Sequence, residues 1–464
     1  MYEYQEEGIR FLVERKRAIL ADQPGLGKTR QVLLALAELR ANTVLVLSPK
    51  SAIGVWVAES ERWIPYAAHA IAYEGTPYER KRLWDTFQTL TRETQAPMVI
   101  LVTTYAMIPE VSSLRPYWDA IVCDEYQLSG LVNRKTKRFA WIKALSSRYL
   151  FFLSGTPILH GPHDLWPLLN RIDPQRFNSF WNFVRDYCIV SKTPFGLKIE
   201  GRPKNIQQFK ELIRPYLLRR KKEQVYTQLP PKIRQAIPLT MTPTQRRLYE
   251  QLENELVADL GDGRILATPT KLAQITRLRQ VLVTPQLLGH AEEGAALQTL
   301  PELVREEFDA GRAVAVFTPF RQAIPYIWKA ISSSVPRVTP MIVHGGMSGR
   351  DIARAVSRFQ RFSGRKVLIS TIKGATAYTA HAASVAFFVG FEWSLNDNEQ
   401  AEDRLHRVGQ TQSVHIKYLL HKGTVEDDMI EVLSGKKLWS EMILDPETVL
   451  RKLRGARSGS GSNR

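Results

Sequence analysis

ADQPGLGKTRQ (Ala21–Gln31) places two glycines, a lysine and a threonine in five consecutive positions, Gly25 to Thr29. Glycines let the backbone turn tightly and bring successive N–H groups to one point. A helix beginning at Lys28 would aim its positive end at that same point. This is the chemistry of a phosphate cradle, with Lys28 reaching the outer phosphates and the Thr29 hydroxyl ligating Mg2+. The flanks agree. The strand-like Ala18-Ile19-Leu20 precedes the stretch, and Val32, Leu33, Leu36 and Leu39 after it fit one face of a helix. At the position where the usual motif opens with glycine, the chain has Asp22.

Two further segments supply what a phosphate site lacks. AIVCDEYQ (Ala120–Gln127) ends an apolar run on two carboxylates. Asp124 is expected to hold the Mg2+ shell, partly through water, and Glu125 to orient or deprotonate the attacking water. QAEDRLHRVGQ (Gln400–Gln410) carries Arg404 and Arg407, three apart and on one face if helical. An arginine brought to the γ-phosphate contributes roughly 10³–10⁵ in rate.

Apolar runs ending in polar residues recur in two groups. Thr43–Lys50, Ala120–Glu125 and Tyr149–Pro157 form the first; Ala313–Phe320, Lys366–Thr371 and Ser384–Phe391 form the second. Continuous rather than alternating apolar strands indicate parallel sheets covered on both faces. The fold class expected is therefore α/β, with two parallel-sheet lobes and helical insertions between them. Residues 161–300 read as mostly helical, with Thr242 capping a helix that starts at Pro243 and repeats leucine at 248, 252, 256 and 260. The expected domains are a nucleotide-binding lobe at 1–165, a helical insertion and basic linker at 166–232, and a second helical insertion at 233–300. A second lobe follows at 301–435, then a C-terminal brace and flexible tail at 436–464.

The chain has 464 residues, more than one hydrophobic core serves well. Its 64 basic against 46 acidic residues leave a net charge of +18, which favours a polyanionic partner, most simply nucleic acid. No apolar run approaches the length of a membrane span, and the N-terminus lacks the apolar centre of a secretory signal. Cys123 and Cys188 have no metal-ligand spacing and read as buried thiols in a reducing compartment, and no structural metal is expected.

The order of these segments resembles the superfamily-two helicase core and, within it, the Swi/Snf-type ATP-dependent DNA translocases. YQEEGIRFL (Tyr4–Leu12) is similar to the family's opening motif, which implies that Gln5 reads adenine. In the family's phosphate loop an aspartate at the position of Asp22 is normal. LVLSPKSAIGVWVAE and VTTYAMI resemble the first-lobe DNA-contact motifs, and SGTP (Ser154–Pro157) the motif linking hydrolysis to lobe movement, through Ser154 and Thr156. LLRRKKEQVYTQLPPK resembles the interlobe linker. QAEDRLHRVGQ, with its Ala-Glu-Asp, is most similar to the HARP-like annealing and fork-remodelling branch, and Gln400 joins the nucleotide site by the same likeness. The chain departs from the family at Gln127, where histidine is usual. It departs also at Ala377, in place of a glycine, and at WSLND (Trp393–Asp397), in place of Trp-Asn-Pro.

The resemblance implies that the two lobes are RecA-like and of the P-loop NTPase type, and that the chain is an ATPase using ATP and Mg2+ on double-stranded or branched DNA. It would be a monomeric motor in the cytoplasm, associated with the nucleoid. Expected backbone contacts to nucleic acid are Ser48, Lys50, Thr103 and Tyr105 in the first lobe, and Thr318, His344, Gly345, Ser370 and Thr371 in the second. Core packing is the stronger expectation for Trp56, Trp63 and Trp393. Two other readings stay open on sequence: a strand-separating DNA or RNA helicase, and a non-enzymatic basic nucleic-acid-binding protein with a relic ATPase.

Overall fold

The computed structural model describes residues 1–434 except 65, 67, 93–97, 194–195, 226–228, 255–256, 260–264, 268–269, 377, 408 and 432. The expected brace and tail at 436–464 and the departure at Ala377 lie outside the described residues. The chain divides into two compact units that meet in sequence at Thr227 and Gln228.

The first unit is built on β1 (Arg17–Leu20), β2 (Thr43–Ser48), β3 (Ala68–Ala72), β4 (Met98–Thr104), β5 (Tyr117–Asp124) and β6 (Ser146–Leu153). Two further strands, β7 (Cys188–Thr193) and β8 (Gly196–Pro203), form an antiparallel hairpin, and β9 (Leu217–Leu218) returns to the main sheet. The sheet order is β3-β4-β2-β5-β6-β1-β9, with every neighbouring pair parallel. Alternate residues of the apolar runs go to opposite faces. Ile19, Leu45, Leu47, Leu101, Ile121 and Phe152 join one core, while Leu20, Val44, Val46, Ile100, Val122 and Phe151 join the other. Burial on both faces is why these strands read as unbroken apolar runs.

The second unit contains β10 (Lys232–Leu239), the short antiparallel pair β11 (Val257–Asp259) and β12 (Ile265–Ala267), then β13 (Ala313–Thr318), β14 (Thr339–Val343), β15 (Lys366–Thr371), β16 (Ala383–Val389) and β17 (Val414–His421). Its sheet order is β10-β17-β16-β13-β15-β14, again wholly parallel. The two-faced pattern repeats, with Val314 and Val316 in one core and Ala315 and Phe317 in the other.

The expected architecture of two α/β parallel-sheet lobes stands, but the stretch from 161 to 300 is not mostly helical. It holds the β7–β8 hairpin, the strand β9 of the first sheet and the edge strand β10 of the second. Edge position also explains how β10 accommodates Pro238, which has no N–H to give to a ladder. The helix from Pro243 has the expected cap. The Thr242 hydroxyl accepts from the Gln245 N–H at 3.2 Å, and Gln245 Oε1 accepts from the Thr242 N–H at 3.4 Å. Its described range is Pro243–Asn254, and Leu256 and Leu260 of the leucine repeat lie outside the described residues.

Candidate nucleotide site

Strand order assembles the first half of the site. In the parallel sheet β5, β6 and β1 are neighbours, with Asp124 level with Leu153 and Leu153 level with Leu20. The residues just past their C-terminal ends are Glu125, Ser154 to Pro157 and Asp22 to Thr29. Three segments far apart in sequence therefore open onto one edge, the edge at which open α/β sheets bind ligands.

Gly25 and Gly27 hold φ of 91° and 77°, in the left-handed region, and Gly27 caps the helix Lys28–Glu38 without any side-chain hydrogen bond to it. The N–H groups of that first turn have no carbonyl partner within their own helix, which leaves donors for an anion. Lys28 Nζ donates to the Asp22 carbonyl at 2.8 Å, folded back along the loop. A Cβ on Gly155 would lie 2.7 Å from Pro24 Cδ, so the Ser154–Pro157 loop packs directly on the phosphate loop. Ser154 Oγ accepts from the Thr156 N–H at 2.9 Å, and the Ser154 N–H donates to the Leu20 carbonyl.

Gln5 is buried beside the loop, with Nε2 donating to the Leu26 carbonyl at 3.4 Å. Its Oε1 accepts from Arg30 at 3.2 Å, and the Arg30 guanidinium lies 3.9 Å from the Trp63 ring centroid. The sequence reading missed Arg30. Asp22 is also fully buried, but its carboxylate is taken by Arg220 and Gln31. Its place is beneath the loop rather than among the groups offered to a nucleotide.

Asp124 Oδ2 accepts from Trp56 Nε1 at 2.8 Å, which gives the buried Trp56 a polar task inside the core. Burial pushes the Asp124 carboxyl up to about 6, and the charge of Glu125 adds to this, against the Trp56 hydrogen bond and the charge of Lys28. Glu125 sits at φ 47° and ψ 46°, and Gln127 donates to its carboxylate. The glutamine found where histidine is usual thus orients Glu125. A buried carboxylate crowded by another is a hard-oxygen donor that a divalent cation would relieve. Asp124 accordingly fits a Mg2+ ion, and the glycine loop and Lys28 fit its phosphates. Among the described residues no cluster of three or more His, Cys, Asp or Glu could hold a metal by itself.

In the second unit the helix Leu395–Glu402 opens on Ser394, whose Oγ accepts from the Asp397 N–H at 3.2 Å. WSLND thus supplies its own cap. Arg404 and Arg407 lie past the helix end, in the following turns, rather than on a helical face. Arg404 donates to the carbonyls of Gln400 at 3.0 Å and Tyr378 at 2.9 Å, and Arg407 to the Asp403 carbonyl at 3.2 Å and Thr379 Oγ1 at 3.1 Å. Gln400 is buried. Glu402 accepts from Arg234 Nε at 2.7 Å and lies 2.9 Å from Lys232 Nζ, which also bonds Asp403 at 2.9 Å. Burial alone would raise the Glu402 carboxyl, but Lys232 and Arg234 outweigh it and hold it at about 2.

The nucleic-acid contacts expected from sequence separate into two sets. Lys50 and Gly345 are exposed and His344 partly so. Burial and the charge of Arg321 hold the His344 imidazole below its ordinary value. Ser48, Thr103, Tyr105, Thr318, Ser370 and Thr371 are buried at strand ends. Thr103 donates to the Tyr73 carbonyl at 2.7 Å, Tyr105 to the Asp124 carbonyl at 2.7 Å, and Ser370 to the Thr371 carbonyl at 3.0 Å. A direct side-chain grip on a phosphate does not fit these positions. Small hydroxyls at the ends of buried strands satisfy local backbone groups instead. Cys123 and Cys188 are free and buried, and burial pushes the Cys188 thiol up to about 12.

A phosphate loop, a carboxylate pair at the end of a neighbouring strand and an arginine-bearing segment on a second parallel-sheet unit define the class of two-lobed P-loop ATPase cores. The SNF2-related domain model matches residues 4–287, and the helicase conserved C-terminal domain model matches residues 295–409. The chain belongs to the SNF2-related family. Over 472 residues it is 26% identical to the CHD3-type chromatin-remodeling factor CHR7 of Arabidopsis thaliana, covering 96% of this chain and 37% of that protein. Over 478 residues it is 26% identical to the ISWI chromatin-remodeling complex ATPase ISW1 of Saccharomyces cerevisiae, covering 97% of this chain and 41% of that protein. The chain thus spans about two fifths of the length of these relatives. The Sulfolobus solfataricus SWI2/SNF2 ATPase core in complex with dsDNA matches at 26% identity and a TM-score of 0.42, covering 95% of this chain and 92% of that one. No helix among the described residues is long and apolar enough to cross a membrane.

Proposed function

We propose that the chain is a DNA-dependent ATPase that translocates on double-stranded DNA. The reading rests above all on one observation. Strand order puts the phosphate loop and Asp124–Glu125 on one sheet edge, where the charge of Lys28 already acts on Asp124. In this reading Gln5 binds adenine, and the loop N–H groups with Lys28 bind the phosphates. Thr29 and Asp124 hold Mg2+, which when bound neutralises phosphate charge. Glu125, oriented by Gln127, holds the attacking water and accepts its proton. Arg404 and Arg407 stabilise the charge that develops on the γ-phosphate, and Ser154 and Thr156 pass the nucleotide state to the rest of the first unit. Hydrolysis removes the terminal phosphate charge, so occupancy of the site sets a two-state equilibrium that the motor uses.

Lys50, His344 and Gly345 are the remaining surface candidates for the nucleic-acid backbone. Backbone contacts position a duplex without reading its sequence. The likeness to annealing and fork-remodelling enzymes rested on Ala401-Glu402-Asp403. The bonds of Glu402 and Asp403 to β10 give that triplet a structural task, so it does not carry the annealing reading. ATP turnover measured with no nucleic acid and with single-stranded, duplex, forked and RNA ligands tests the proposal. Duplex DNA should stimulate most. Triplex displacement without strand displacement should accompany it, and turnover indifferent to every ligand would overturn the motor reading.

A further inference from the structure

The basic run LLRRKKEQ opens the stretch that resembles an interlobe linker, yet its two arginines are spent inside the first unit. The Arg220 guanidinium forks onto Asp22, with Nε to Oδ1 at 3.0 Å and an Nη to Oδ2 at 2.6 Å, and the Arg220 backbone N–H adds a bond to Oδ1 at 3.1 Å. Its remaining N–H groups donate to the Tyr4 carbonyl, to Glu7 at 3.1 Å and to Gln31 Oε1 at 2.8 Å. Gln31 Nε2 in turn donates to Asp22 Oδ2 and to the Leu26 carbonyl, both at 3.1 Å.

One buried side chain thereby joins three elements. They are the helix that presents Gln5, the entrance of the phosphate loop, and the helix that leaves it. A Cβ at Gly8 would lie 1.8 Å from Gln31 Oε1 and 2.7 Å from an Arg220 Nη, so the network closes only around glycine. The main chain follows the same path. The Ala21 N–H donates to the Leu218 carbonyl, the Gln23 N–H to the Arg220 carbonyl, and the Lys222 N–H to Gln23 Oε1 at 2.8 Å. Arg219 reaches the neighbouring loop, donating to the Gly155 carbonyl at 3.3 Å.

We infer that Arg220 is a positioning residue for the nucleotide site, neutralising Asp22 beneath the phosphate loop and fixing that loop against the helix of Gln5. The inference rests on the nucleotide reading given above. Its physical core is electrostatic. Asp22 is fully buried at the entrance of a loop whose ligand is a polyanion. Without a cation on it, the carboxylate would repel phosphates, and only a planar guanidinium serves both its oxygens and the flanking acceptors at once.

The test uses the full chain, equilibrium binding of a fluorescent ATP analogue, steady-state kinetics and duplex-DNA binding. Arg220→Gln should weaken nucleotide binding and raise KM by about ten-fold or more, and leave duplex affinity unchanged. Asp22→Asn combined with Arg220→Gln should bind nucleotide more tightly than Arg220→Gln alone, because the stranded charge is gone. Arg220→Lys, which keeps the charge but not the fork, should fall between wild type and Arg220→Gln. If Arg220→Gln does not fold, the double variant and Arg220→Lys carry the test, each expected to bind less tightly than wild type. Folded Arg220→Gln with wild-type nucleotide affinity, a double variant no better than the single one, or a fully wild-type Arg220→Lys would overturn the inference alone. A wild-type chain that binds no nucleotide would instead overturn the reading of the site.

Discussion

Asp124 is under opposing demands that can be measured separately. Folding buries its carboxyl beside Glu125 and raises it from an ordinary 3.8 to about 6. The folded chain therefore holds that proton more tightly than the unfolded one, and stability from this group falls as pH rises through that window. Asp124→Asn should accordingly stabilise the nucleotide-free protein at pH 8, by on the order of 2–3 kcal/mol. The gain should vanish near pH 4, as urea unfolding at the two pH values will report. The same substitution should abolish turnover, since an amide neither ligates Mg2+ as an anion nor carries its charge. At limiting Mg2+, wild-type turnover should fall as pH drops through about 6, where protons compete with the ion for Asp124. Lys28→Ala and Glu125→Gln should also abolish turnover while leaving DNA binding in place, measured on the same samples. These residues were legible in sequence because their chemistry demands fixed types at fixed spacing. Arg220, Arg30 and Trp56 were not. Their tasks depend on partners far away in the chain, and a basic run or a lone tryptophan carries no sign of which partner it meets.

Among elements, the segment from Arg220 to Arg234 is held at each end by buried charges. Its start is bonded to Asp22 beneath the phosphate loop, and its far end, on β10, grips Glu402 and Asp403 immediately before Arg404. Glu402 is held at about 2, so this bonding contributes stability that is present above the ordinary carboxylate range and lost as pH falls toward 2. Glu402→Gln should destabilise the second unit by about 3 kcal/mol at pH 7, because it leaves Lys232 and Arg234 short of a buried partner. The shift should appear in the denaturant midpoint and shrink at acid pH. The buried strands were readable as elements because burial on both faces writes an unbroken apolar run. The β7–β8 hairpin and β10 were missed because they mix polar and apolar residues with neither an unbroken apolar run nor a regular alternation, and β10 is largely exposed. Hydroxyls at strand ends misled in the other direction. Ser48, Thr103 and Ser370 look like phosphate ligands in sequence, and only their burial shows that they serve the backbone.

For the whole molecule, a net charge of +18 sets the expected mode of DNA engagement. Binding through backbone phosphates releases counterions, so duplex affinity should fall steeply and log-linearly with salt and vary little with base sequence. A titration of duplex affinity at several salt concentrations would check this, and a flat response would remove the electrostatic part of the account. Two lobes could be read from the two groups of strands, but the catalytic part proposed for Arg407 is a matter of chemistry, which neither pattern nor fold decides. Single-turnover ATP hydrolysis by Arg407→Ala on duplex DNA, beside its nucleotide affinity, tests that claim most directly. The account predicts affinity within a few-fold of wild type and hydrolysis slower by on the order of 10³. Hydrolysis at the wild-type rate would contradict it.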